Sequence, residues 1–303
     1  MKRLLTLFLT LASLVLNAQQ EWVYNLSGLN FYEGISAAAG MYGKPSVSMR
    51  YRTQWLGVEG APQTAMLAFH SPLHKNIGFG LRVKQDRAGA FNQLGALAHV
   101  SYTLKMRSSE LRFALGGGMS NDRLLVDQMN PQHAEDPVVV AGNLQQWRPL
   151  LSASAMYRTN TWFLGAEAQR VLSQKSTWNG IQTNGEVPEL LALGGFQLAL
   201  SDDWSLRPLA AIRASLGGWW VPEVQLGAWY KNVLWFGSGL RYQASAYAFV
   251  EYRVMRKVRI AYSFGWPVMS WSPAQSGTHE IMLSYAWGGK SVNQTRSTRF
   301  FIQ

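Results

Sequence analysis

Residues 49–64 read MRYRTQWLGVEGAPQT, a strict alternation that breaks at Gly57, Gly60 and Pro62. One face of the alternating part carries Met49, Tyr51, Thr53 and Trp55, and the other carries Arg50, Arg52 and Gln54. A period of two is that of a β-strand, whose successive side chains point to opposite faces. One face therefore seeks an apolar medium and the other a polar one, and the Gly and Pro residues mark a turn.

The same pattern recurs along the chain. Alternating segments are expected at 46–55, 64–70, 77–85, 94–105, 111–120, 150–158, 161–172, 189–200, 204–216, 221–230, 234–241, 245–252, 258–265 and 278–287, separated by Gly, Pro, Asn and Asp clusters. Ile77, Phe79, Leu81 and Val83 oppose Arg82 and Lys84, and Leu111, Phe113 and Leu115 oppose Arg112 and Gly116. No linker and no residue-level repeat divides the chain, so one domain is expected over 19–303, with an N-terminal segment at 19–45 and a C-terminal tail at 288–303.

Two architectures bury such strands: a soluble sandwich of two sheets, and a closed barrel in a membrane. Residues 1–18 favour the barrel. Lys2 and Arg3 precede the apolar run LLTLFLTLASLVL, which is too short to span a bilayer, and Ala18 supplies a small residue for cleavage, as in a secretory signal peptide. The chain has no cysteine, 13% aromatic residues and only 15% charged residues, which is unusual for a soluble enzyme. No later stretch is long and apolar enough for a membrane helix, whereas strands of about ten residues suit a tilted crossing. Trp55, Trp204, Trp219, Trp220, Trp229, Tyr230, Trp266, Trp271 and Trp287 lie beside turns, where interfacial girdles belong. In lipid every backbone polar group must be paired internally, so the sheet must close. The expected fold is all-β: a transmembrane antiparallel β-barrel of about fourteen strands in an outer membrane.

The opening stretch also resembles the YR-x-QW-x-G-x-x-G-A-P-x-T signature of the PorP/SprF family, outer-membrane barrels associated with the type IX secretion system of Bacteroidota. Tyr51, Arg52, Gln54, Trp55, Gly57, Gly60, Ala61, Pro62 and Thr64 fall in place. GFGLRVKQDRAG, with Gly78, Gly80, Asp86 and Gly89, is similar to the family's third-strand and turn pattern, and GTHEIMLSY, with Gly277, His279 and Glu280, to its last strand. Where relatives commonly carry an Asn-Pro-Ala-Tyr-like segment, this chain has Ile35, Ser36 and Ala37, and it continues past Trp287 to a tail containing Phe300 and Phe301. The resemblance implies a non-enzymatic component of the secretion and gliding machinery. Its implied partners are outer-membrane lipid, a secreted type IX cargo or adhesin, and periplasmic or outer-membrane type IX components.

No catalytic or metal site is expected. His70, His74, His99, His133 and His279 have no Ser and carboxylate partners at a triad-like spacing, and His279 and Glu280 point to opposite faces of a strand. His70 and His74 flank Pro72 at a strand end, which is not a zinc helix. ALGGGMSND at 114–122 lacks the Lys of a phosphate loop, and its glycines are expected to relieve crowding inside the barrel. No cofactor follows, and the net charge of +11 is scattered along the strands rather than clustered as for nucleic acid.

In a barrel the cations Arg50, Arg52, Arg82, Lys84, Arg112 and Arg213 line the lumen, because an arginine facing lipid at the midplane costs about 2–4 kcal/mol. Buried arginines need acceptors, and Glu59, Asp86, Glu167, Glu189, Glu223 and Glu251 are the available carboxylates. Cross-linking into a closed lumen is favoured, with a pore for small anionic solutes as the alternative.

Overall fold

A computed structural model describes residues 24–26, 28–129, 142–172, 174–178, 181–242, 244–267 and 276–287, with 174–178 and 181–186 described by their backbone alone. The expected signal peptide, the tail with Phe300 and Phe301, Trp271 and His133 lie outside the described residues.

The strands are β1 (Ser46–Thr53), β2 (Gln63–His74), β3 (Ile77–Ala88), β4 (Phe91–Lys105), β5 (Ser109–Leu124), β6 (Leu144–Thr159) and β7 (Trp162–Gln169). They continue with β8 (Gln174–Trp178), β9 (Ile181–Glu186), β10 (Glu189–Phe196), β11 (Leu198–Ala199), β12 (Trp204–Ser215), β13 (Trp220–Tyr230) and β14 (Leu234–Arg241). The last are β15 (Ser245–Met255), β16 (Val258–Pro267) and β17 (Thr278–Ala286). Each barrel strand pairs antiparallel with its neighbours in chain order, and β1 pairs with β17 to close the wall. β10 and the two-residue β11 occupy one wall position against β12, while β8 and β9 form a separate hairpin, leaving fourteen positions in a closed antiparallel barrel.

All fourteen expected segments are strands, in the expected order. Several run further, notably β5 and β6, so the connection expected from 121 to 149 narrows to 125–143. Strand β1 ends at Thr53 rather than Trp55, because Trp55 takes a left-handed backbone (φ 50°) and opens the turn. The β8–β9 hairpin stands in a connection where no strand was expected.

The alternation sorts side chains by medium. Met49 and Tyr51 are 60% and 45% exposed while Arg50 and Arg52 are 3% and 5%, so the apolar face of β1 looks outward and the arginines look into the lumen. Outward residues such as Val100, Leu115, Leu164, Leu240 and Ile281 clothe the wall in hydrocarbon. Among the described residues no helix is long and apolar enough to cross a membrane; strands make the crossing.

At the end where β1 starts and β17 finishes, every connection is short: 75–76, 106–108, 160–161, 200–203, 231–233 and 256–257. The long connections, 54–62, 125–143, 170–188 and 268–277, are all at the opposite end. In outer-membrane barrels the short turns face the periplasm. Aromatic pairs ring both ends: Trp204 with Tyr230 (4.7 Å) at the short-turn end and Trp220 with Tyr242 (6.1 Å) at the other. Trp229, read as part of a girdle, instead points inward and is buried, because it falls on the lumen face of β13.

Candidate functional site: a plugged lumen

The segment ahead of β1 fills the barrel. It comprises a helical turn, Phe31–Gly34, capped by the Asn30 side chain accepting from the Tyr32 amide (3.2 Å), and a 3-10 turn, Ser36–Ala38. Tyr32, Ile35, Ala37, Ala38 and Ala39 have almost no exposed surface. The fit depends on small residues on both sides. A Cβ at Gly80 of β3 would overlap the Tyr32 ring, and one at Gly78 would overlap the Ala39 carbonyl, so the wall has glycine where the plug approaches most closely. Gly116 similarly makes room for His99 and Ser152, as expected of the glycines in 114–122.

One wall, built by β1–β7 with Glu280 of the adjoining β17, holds the plug through charge and directed hydrogen bonds. Arg50 forms ion pairs with Glu33 of the plug and Glu280 of β17, all three buried. The Glu280 carboxylate also accepts from the Asn25 (2.9 Å) and Leu26 (3.1 Å) amides. Arg82 donates to the Glu33 carbonyl (3.0 Å) and pairs with Glu167, which in turn accepts from the Ser36 amide. Arg112 donates to the carbonyls of Ala37 (2.8 Å) and Ala39 (2.7 Å), and the latter also accepts from Ser101 (2.9 Å). The Tyr32 hydroxyl meets His99 Nδ1 at 3.0 Å. The lumen arginines thus find acceptors partly in carboxylates and partly in the plug's own backbone, groups that would otherwise be buried unpaired.

The facing wall holds the plug by packing. Leu26 and Leu29 sit in a buried cluster with Trp229, Trp235, Tyr247, Phe249, Ala261 and Met282. Trp229 stacks on Trp235 (5.8 Å), and Trp235 packs on Phe249 (4.4 Å). A second cluster, between the two walls, joins Phe31, Tyr32, Ile35 and Met41 to Ala68, Met156 and Phe163 of β2, β6 and β7 and to Leu191 and Leu209 of β10 and β12, with Phe31 against Phe163 at 4.6 Å. The barrel therefore has a hydrophobic core inside it. Towards the long-loop mouth a cavity of about 110 Å³ remains, lined in part by Lys84, Asp86, Arg170 and Arg213 and in part by Met66, Leu97 and Leu150.

Of the expected lumen cations, Arg50, Arg52, Arg82 and Arg112 are buried inside the barrel. Lys84 pairs with buried Asp86 (2.7 Å), and Arg213 approaches Glu189 (3.7 Å). Glu167, Glu189, Glu223 and Glu251 also serve as expected, but Glu59 does not: it lies exposed in the β1–β2 connection, beyond the reach of the alternation. A closed lumen is as expected, but its filling by the segment ahead of β1, with Glu33, is not read from the sequence. The signal available was an apolar, small-residue stretch, GISAAAGMYG, in a place where an exposed leader would be polar.

The resemblance residues, distant in sequence, meet at one seam. Arg52 lies opposite both Glu280 and Thr64, and Thr64 lies opposite Asp86. The Gln54 amide donates to the Pro62 carbonyl (2.9 Å), closing the turn that holds Ala61. Gly89 donates its N–H to the Gly60 carbonyl (2.8 Å), and Leu56 donates to Gly277 (3.0 Å). Gly57, Gly60, Gly89 and Gly277 all have φ between 55° and 98°, a region in which a side chain is strained. Tyr51 faces out, while His279 meets the Tyr262 hydroxyl at 2.8 Å. These residues tie the β1–β2, β3–β4 and β16–β17 connections together where the barrel closes. Among the described residues no group of His, Asp and Glu is placed to hold a metal ion.

The model of the family described as type IX secretion system membrane protein PorP/SprF matches residues 37–285. No curated protein matches the chain. Among solved structures, the toluene transporter TbuX of Ralstonia pickettii is similar at 11% identity, with 88% of this chain and 94% of that chain covered and a TM-score of 0.52. The translocator domain of the autotransporter NalP from Neisseria meningitidis follows at 10% identity, 85% and 93% coverage and a TM-score of 0.48. At such identities the likeness to TbuX supports the barrel fold alone, and that to NalP carries no argument.

Proposed function

Given that the chain belongs to the PorP/SprF family of type IX secretion system membrane proteins, we propose that it is a closed outer-membrane component which binds a secreted adhesin or a translocon partner and conducts no solute. The observation that carries this reading is the plug. A channel for small anions needs a continuous aqueous path and unpaired lumen cations, whereas Arg50, Arg82 and Arg112 are engaged by Glu33, Glu167, Glu280 and plug carbonyls. The arginine-lined lumen, which taken alone favours an anion pore, is thereby neutralised. Export by residues 1–18 and participation in gliding belong to the same proposal.

Deleting the gene is expected to abolish surface display of at least one type IX cargo, measured by proteomics of surface and culture fluid, and to impair gliding. Unchanged cargo and gliding overturn the reading. In planar bilayers the purified protein is expected to give no steady current; a stable anion-selective conductance overturns the closed state and restores the channel.

A further inference from the structure

The two mouths of the barrel differ in charge balance. At the long-loop mouth each inward cation has a carboxylate: Arg148 with Asp122 (2.9 Å), Arg170 with Glu189 (2.5 Å), Arg241 with Glu223 (3.0 Å). At the short-turn mouth carboxylates are scarce. Glu110 alone serves both Arg112 (3.5 Å) and Arg158 (2.8 Å), and Glu251 faces Arg259 (3.5 Å) with Arg253 and Arg207 also in its field. Lys105 and Lys75 line the recess beside Glu110, a space of about 400 Å³ floored by Gly40 and Gly43 of the plug.

Across the mouth, partial burial and the like charges of Arg259 and Arg253 hold the Lys44 ammonium below the usual lysine range. Arg158 of β6 and Arg207, Arg253 and Arg259 of β12, β15 and β16 all lie on the lumen face near the short-turn ends of their strands, so the two groups of cations form one rim around the end of the plug. Buried Arg253 Nε makes no hydrogen bond. The turns add exposed Arg107, Arg256 and Lys257, against Asp202 and Asp203 in a single turn, the latter facing Lys231 at 3.8 Å.

We infer that the short-turn mouth is a docking site for an acidic, extended segment of a partner protein, with Asp or Glu side chains entering the rim formed by Lys44, Lys105, Arg158, Arg253 and Arg259. This deepens the proposed role and rests on it for the partner's presence in the periplasm. A polypeptide is favoured over anionic lipid by geometry: Lys105, Arg158, Arg253 and Arg259 lie on the lumen side of their strands, where headgroups surrounding the wall do not reach. Residues 288–303 carry Lys290, Arg296 and Arg299 and no Asp or Glu, so they have the wrong sign for this rim. Charge complementarity of this kind sets association rate and partner choice.

The test uses full-length protein in phosphatidylcholine nanodiscs and a fluorescent all-glutamate peptide, followed by anisotropy at low salt. The peptide is expected to bind while all-lysine and Gly-Ser peptides do not, and binding is expected to weaken with added salt. Lys105→Glu with Arg253→Glu is expected to weaken binding at least about tenfold. Arg87→Glu with Arg123→Glu, at the opposite mouth, is expected to leave it unchanged; gel migration with and without heating verifies that both variants are folded. Absence of binding, or equal loss in both variants, overturns the inference. So does abolition of peptide binding when phosphatidylglycerol is mixed into the disc, which would make the rim a lipid site. Failure here alongside loss of cargo display in the deletion strain would overturn the docking site alone and leave the secretion role standing.

Discussion

The two walls of the lumen hold the same plug by different physics. The β1–β7 wall meets it with Arg50, Arg82, Arg112, Ser154 and Glu167, and its contacts are mainly hydrogen bonds and ion pairs of fixed direction, with Met156 and Phe163 packing beside them. The β13–β17 wall meets it with Trp235, Tyr247, Phe249 and Met282, and its contact is mainly burial, apart from the hydrogen bonds that Glu280, Ser263 and Arg241 make to Asn25 and Leu26. Burial is non-directional and drives the segment inward; the polar wall selects one register, because a shifted plug would leave buried charges unpaired. The difference teaches that stability and uniqueness of the closed state are separable here, and substitutions can pull them apart.

The largest effect is expected from removing residues 24–42 and so emptying both walls. Planar-bilayer recording should then change from no steady current to a stable conductance, and a barrel that stays closed would show that the walls collapse on each other. Next, Arg50→Ala strands Glu33 and Glu280 in a buried site and should cost about 3–5 kcal/mol in urea unfolding followed by tryptophan fluorescence. A double-mutant cycle with Glu33→Gln sharpens this: the second change should recover part of the loss, since one uncompensated charge is removed. Trp235→Ala, on the apolar wall, should also cost about 3–5 kcal/mol through the cavity it leaves, with conductance still absent because register is set opposite. The smallest effect is expected from Lys231→Ala, whose partner Asp203 is exposed at the short-turn end; unfolding should not shift measurably.

The periodicity of residues 49–64 predicts a strand with arginines inside, and Arg50 and Arg52 are buried while Met49 and Tyr51 face out. Alternation is local, so it can be read one strand at a time, and an excess of apolar faces with no soluble partner points to lipid. It misled at positions where backbone geometry overrides it. Trp55 leaves the strand through a left-handed turn, Glu59 never returns to the lumen, and Trp229 lies on the inward side of the strand end assigned to the girdle. The family signature was legible as a string; that Gly60 meets Gly89 and Leu56 meets Gly277 at one seam was not, because those partners are fixed by barrel closure.

By itself the sequence determined the strand order, which faces meet lipid and lumen, and the closed barrel, all of which depend on period, length and residue type within a segment, while the family is carried by a resemblance of motifs. Only the tertiary structure decided what fills the lumen. Residues 24–42 have no period to declare their place, and their partners, Glu280, Glu167, Arg82 and Trp235, are dispersed over the length of the chain. Closing the wall brings them together, and the plug is held where their unpaired charges and apolar surface coincide.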